Sequence, residues 1–218
     1  MIKKYVILGA GGFAREVLDI FEASREAGQN CEVLGYLVDS QYGLPGTIIN
    51  GKPILGDFGW LTERAREVQV LCGVGDPIVR KHLVERARDC GARFGNIIHP
   101  SAILTKHITF GEGIVIAAGC ILTNQIRIGD QVHINLDCTI GHDCVLEDYT
   151  TLAPGVHVSG GVTLGEGCQI GTGASIVEKK RIGAWSLIGA GGVVITDIPR
   201  DSTAVGVPAK VIKTRGGG

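Results

Sequence analysis

The sequence predicts two architectures in series: an α/β domain built on a small parallel sheet, then a parallel β-helix. From residue 1 to 96, apolar strand-like runs alternate with segments of helical period, and from 98 onward a period of six replaces the helical one. Composition sets the limits. The 218 residues are 44% hydrophobic and 20% charged with a net charge of -1, enough to bury a core and without any overall pull toward nucleic acid, an anionic membrane surface or disorder.

"KYVILGA" reads as a buried strand, and "GGFAREVLDIFEASREAG" places Phe13, Val17, Ile20, Phe21, Ser24 and Ala27 on one helical face that stops at Gly28. "CEVLGYLVD" is a second strand, "WLTERAREV" a helix and "VQVLCGVG" a third strand. "PIVRKHLVERARDCG" is a further helix, opened by Pro77 and closed by Gly91. The first apolar run turns into glycines too early for a signal-peptide core and is too short to span a bilayer, so a cytoplasmic location is expected. Seven cysteines are an odd number, with no C-x-x-C and no Cys/His cluster at zinc-ligand spacing. They are expected as free thiols, with no metal.

Strand–helix alternation over 1–96 predicts a Rossmann-like domain whose ligands bind at the carboxyl ends of the strands. Gly9, Gly11, Gly12 and Phe13 occupy the first such end, where glycines let backbone amides and a helix N-terminus approach a phosphate. Asp39 ends the second strand and is placed to meet ribose or sugar hydroxyls. Asp76 and Arg80, after the third strand, complete the candidate substrate-binding set. Only about half of a doubly wound dinucleotide fold precedes the change of period, so a mononucleotide diphosphate fits better than NAD. The alternative is a tight strand-to-helix turn with no ligand.

The second domain, 97–218, follows from arithmetic. Stepping by six from Phe110 gives Ile116, Leu122, Ile128, Ile134, Ile140 and onward to Val194, each a large aliphatic residue. Four residues after each comes a small or apolar residue, from Ile114 through Cys120, Cys138, Cys144 and Cys168 to Ile198, with Lys180 the misfit. Such a period marks a hexapeptide β-helix, in which each coil depends on the coils above and below. The four cysteines are expected in its core, not in catalysis.

The hexads, together with "VILGAGGFAREV", "IIHPSA", "GHDCVLEDY", "GVTLGEG", "IGAGGVVITDIP" and "VGVPAK", make the chain resemble the bacterial sugar acyltransferases that include UDP-amino-sugar N-acetyltransferases and sialic acid O-acetyltransferases. The resemblance implies a left-handed β-helix with three hexads per coil, a homotrimer, acetyl-CoA as donor, and a catalytic histidine at His142. It also maps an oxyanion-binding amide onto Gly160, a site asparagine onto Asn135, and an acidic neighbour of the histidine onto Asp143. Thr172, Gly173, Ala190 and Gly191 match positions that meet the pantetheine arm between subunits. Lys210, in "VPAK", is the candidate phosphate partner. Thr151 stands at a donor-binding position where relatives often carry histidine.

Three hexads per coil put residues eighteen apart one above another, so His142 stacks between Asn124 and Gly160. That places a base beside the backbone amides of Gly160 and Gly161, an arrangement suited to acyl transfer. A sugar ammonium must lose a proton before it attacks, and a histidine, with a reference pKa of about 6.5, can accept it. The expected activity is direct acetyl transfer to the amine of a nucleotide-linked amino sugar, with the first domain holding the nucleotide. O-acetylation of a sugar of the sialic acid kind is the enzymatic alternative. A noncatalytic trimeric scaffold is the alternative of a different class, and the presence of His142, Asn135 and Gly160 argues against it.

Overall fold

The run "KYVIL" becomes β1 (Lys3–Leu8), an interior strand of a six-stranded sheet in the computed structural model, which describes residues 2–214. The chain divides into two compact units, Met1–Pro100 with Glu112–Val115, and Ser101–Gly111 with Ile116–Gly218. In the first unit the sheet order is β3 (Ile48–Ile49), β4 (Lys52–Gly56), β2 (Cys31–Leu37), β1, β5 (Gln69–Cys72) and β6 (Arg93–Phe94). All neighbours are parallel except the β3–β4 pair. The chain passes from β1 to β2 on one side and later to β5 on the other. The carboxyl end of β1 therefore lies at the switch point where open α/β sheets bind ligands.

Helix α1 (Gly12–Glu26) buries Ala14, Val17, Leu18, Ile20, Phe21 and Ser24. The predicted face is shifted at its ends: Phe13 is only half-buried, and Ala27 is exposed beyond the last helical turn. Helix α2 (Phe58–Arg64) begins before the predicted Trp60 because the Asp57 carboxylate accepts the Gly59 amide at 2.8 Å and caps it. Helix α3 (Pro77–Asp89) starts at Pro77 as its sequence predicts. The β3–β4 hairpin is not part of the predicted set. Its turn residues Asn50 and Gly51 both have positive φ, 44° and 74°, the geometry that Asn-Gly favours between antiparallel strands.

The second unit is a left-handed parallel β-helix whose short strands repeat on three faces. On one face Ile121 pairs with Thr139, Thr139 with His157 and His157 with Ser175, each step one coil of eighteen residues. The first inward series is buried from Ile116 to Val194; Phe110, at its start, is 39% exposed. Cys120, Cys138, Cys144 and Cys168 fill the second inward position and are fully buried. Every sixth residue from Gly119 to Gly191 has positive φ and turns a corner, including Gln125 at 52°, Asp143 at 59° and Lys179 at 60°.

The period breaks once. Ile182 pairs with Ile198 and Ile188 with Ala204, so the last coil has sixteen residues instead of eighteen. This corrects the predicted place of Ile198. It is buried, but opposite Ile182 in the first inward series, with the Asp197 carboxylate accepting the Arg181 amide at 2.9 Å where the coil is shortened.

Candidate active site

In the first unit a cavity of about 680 Å³ opens at the carboxyl ends of β1 and β2. Gly9, Ala10 and Gly11 line it on one side, Asp39, Gln41 and Tyr42 on another, and Val79, His82, Leu83 and Arg86 of α3 on a third. Gly11 is the N-cap of α1 and supplies no side-chain cap, which leaves that helix end available to an anion. A Cβ at Gly11 would meet no protein atom within 4 Å. Gly12 and Phe13 form the first turn of α1 behind this opening.

Three acidic and basic candidates take different places. Asp39 lines the cavity, and both of its carboxylate oxygens accept from Arg86, at 3.0 and 3.1 Å. That bond holds Asp39 below the usual carboxylate range and pushes Arg86 up. Asp76 faces solvent and caps α3, its Oδ1 accepting the Ile78 and Val79 amides at 2.9 Å. Arg80 is a correction: it is fully buried and donates to the Val74 and Gly75 carbonyls at 3.0 Å, so it shapes the β5–α3 loop and does not present its guanidinium to a ligand. Arg86 was absent from the predicted set, because a contact across 47 residues leaves no local trace.

In the second unit His142 and Gly160 meet. A Cβ built on Gly160 would lie 2.7 Å from both Cε1 and Nε2 of His142, so the imidazole lies directly over Gly160 and a side chain there would displace the ring. His142 Nδ1 is 2.7 Å from Asp143 Oδ2. A carboxylate only accepts, so Nδ1 carries the proton and Nε2, above Gly160, has its lone pair free. The left-handed backbone at Asp143 turns its side chain back toward its neighbour. Both side chains remain accessible, 70% and 58%.

The two glycine amides differ. Gly161 N–H donates to the His142 carbonyl at 2.7 Å, which removes it from the predicted pair of oxyanion donors. Gly160 N–H meets no acceptor among the described residues. One backbone donor therefore remains beside the base.

Asn135 is not brought to His142 within the chain. The strand Thr139–Ile140 separates them, placing them at successive corners of one coil, and Asn135 Oδ1 accepts the Leu136 amide at 2.8 Å. Thr172, Gly173, Ala190 and Gly191 share Asn135's corner on later coils, with Gly191 N–H donating to the Thr172 carbonyl at 2.8 Å. All four are exposed, and a Cβ at Gly173 or Gly191 would meet open space. Thr151 stands in the strand between His133 and Gln169, on the face leading to that corner. Lys210 is exposed and opens the final strand opposite Val205.

Burial pushes the Cys144 thiol up and that of Cys168 to about 12, and Cys144 Sγ donates to the Ser159 carbonyl. Neither is poised as a nucleophile. Among the described residues no group of His, Cys, Asp and Glu could hold a metal ion, and no helix is long and apolar enough to cross a membrane.

Comparison with known proteins gives concordant matches. Residues 4–87 match the PglD N-terminal domain, and residues 143–178 match the bacterial transferase hexapeptide of six repeats. GDP-perosamine N-acetyltransferase of Escherichia coli O157:H7 is 29% identical over 215 residues, covering 96% of each chain. The crystal structure of PerB from Caulobacter crescentus in complex with CoA and GDP-perosamine is 34% identical, with a TM-score of 0.87 over 98% of this chain and 99% of that one. The acetyltransferase domain of PglB from Neisseria gonorrhoeae FA1090, in complex with acetyl coenzyme A, is 30% identical, with a TM-score of 0.88 over 97% and 100%.

Proposed function

Since the chain belongs to the bacterial hexapeptide-repeat sugar acetyltransferase family, we propose that it moves acetyl from acetyl-CoA to the amine of a nucleotide-linked amino sugar, with His142 as general base. It is an acetyl-CoA-dependent acetyltransferase, and GDP-perosamine, bound by its relative, exemplifies the acceptor class.

The observation that carries the base assignment is His142 Nε2 lying over Gly160, with Nδ1 anchored on Asp143. The sugar ammonium gives one proton to Nε2, the neutral amine attacks the thioester carbonyl carbon, and the nitrogen releases its remaining surplus proton to solvent as the amide forms. The Gly160 N–H faces the negative charge that develops on the carbonyl oxygen. Collapse breaks the carbon–sulfur bond, and the proton returns from Nε2 to the departing sulfur. Asp143 holds the ring in the tautomer that can accept and steadies the imidazolium. The buried cysteines take no part, so no acetyl-enzyme forms.

The donor requires more than one corner. Thr172, Gly173, Ala190 and Gly191 are our candidates for the pantetheine path and stand at the corner preceding His142, so a donor touching both sets takes them from neighbouring subunits of a homotrimer. Lys210 is the proposed phosphate partner and Thr151 a flanking contact. Asn135, on the same corner, would reach the acceptor across that interface. The first unit holds the nucleotide through Gly9, Gly11, Gly12, Phe13 and Asp39. The test is turnover of acetyl-CoA with a GDP-linked amino sugar. Equal release of CoA thiol and amide product supports the assignment, and thiol release without acetylated sugar overturns it.

A further inference from the structure

We infer that Arg86 is the platform on which the nucleobase stacks, and that it makes the first unit's cavity selective for a purine nucleotide. The inference rests on that cavity being the nucleotide site. The Arg86 guanidinium lies 4.0 Å from the centroid of the Phe58 ring, and its two terminal nitrogens are held edge-on by Asp39 at 3.0 and 3.1 Å. Ring below and carboxylate at the edge fix both the plane and the rotation of a side chain that otherwise has many rotamers. Arg86 and Phe58 both line the cavity, and the Arg86 side chain is still 37% exposed. The plane not covered by Phe58 is thus a flat, pre-ordered cationic surface.

A guanidinium plane is a surface on which bases stack, and holding it in advance removes the ordering cost at binding. Asp39 has a further role: it occupies both terminal nitrogens and offsets part of the guanidinium charge, so what remains open to a ligand is the planar face and not the hydrogen-bonding fork a phosphate would take. The diphosphate has its own place across the cavity, at Gly9 to Gly11 and the uncapped start of α1. Val38, Ile49 and Tyr42 add apolar and aromatic lining on the same cavity. Contact area decides the selectivity. A purine lays two fused rings on the platform and a pyrimidine one, and a cavity of about 680 Å³ has room for the larger base. Lysine cannot substitute, because its ammonium is neither planar nor able to bond Asp39 as a fork.

The test is calorimetric titration of the full chain with GDP and with UDP, for the wild type, Arg86→Lys and Phe58→Leu, with CoA binding as the fold control. The wild type should bind GDP more tightly than UDP. Arg86→Lys should weaken GDP about tenfold and UDP less, so that the preference collapses. Phe58→Leu, which keeps the charge and removes the support, should change both in the same directions. Wild-type GDP affinity in Arg86→Lys overturns the platform, and equal losses for GDP and UDP overturn the purine selectivity. A wild type that binds neither nucleotide while binding CoA overturns the assignment of the cavity itself.

Discussion

Among the described residues the His142 ring makes one hydrogen bond, and that bond decides which of its nitrogens can act. With Nδ1 on Asp143, only Nε2 is left to take a proton, and Nε2 is the atom lying over Gly160. A single added methyl should therefore disturb the base without touching the core. Gly160→Ala would put a Cβ 2.7 Å from the ring, which must then swing aside. We predict that this variant folds as the wild type and loses kcat about 10²-fold, the scale expected when a catalytic group is misplaced by an ångström. Steady-state kinetics with a circular dichroism control checks it. The proximity of residues 142 and 160 was legible in the sequence because stacking in a coil depends only on multiples of eighteen. The direction of Asp143 was not: adjacent side chains usually diverge, and only its left-handed φ turns it back. Asn135 stands at the neighbouring corner of the same coil. Seven residues is about one face of a coil, which carries a side chain to the next corner and away from His142.

At the scale of the element, the start of α1 and the β5–α3 loop divide binding from support. Gly11 and Gly73 look alike in the sequence, yet a Cβ at Gly11 meets nothing, whereas one at Gly73 would lie 2.6 Å from Ala14. Gly11→Val should therefore leave thermal stability near that of the wild type and weaken nucleotide binding, as read by paired melting curves and GDP titration. Unchanged nucleotide affinity would make the loop structural only. Arg80 shows the limit of reading a basic residue after a strand as a ligand contact. Its position in α3 aims it under the loop, where two carbonyls hold it. The residues that do face the cavity from α3, Val79, His82, Leu83 and Arg86, follow helical spacing. Their direction could be read from the period, but the partner of Arg86 could not, since Asp39 meets it only when β2 and α3 are assembled.

For the whole molecule, repetition explains both what was legible and what was not. Each coil gives its residues the same surroundings as the last, so one inward period located nearly the entire core of the second unit. The single short coil was invisible because Ile198 suits either inward position, and the choice is set by where the chain is two residues short. The faces also separate the His142 corner from the Thr172 corner within one chain, and the proposed donor path across a subunit interface is tested on mixed assemblies. Co-expression of His142→Ala with Thr172→Trp should restore activity that neither variant has alone, because each supplies the corner the other lacks. Activity that stays absent in a mixed trimer would place both corners' duties in one chain. The most direct test of the central claim is turnover by His142→Ala at saturating acetyl-CoA and nucleotide-linked amino sugar, with acetyl-CoA affinity measured alongside. We predict kcat lower by at least ~10²-fold, acetyl-CoA binding nearly unchanged and no acetylated protein in the wild type by mass spectrometry. A variant that keeps most of its turnover, or a wild type that accumulates an acetyl-enzyme, would contradict direct transfer with His142 as the base.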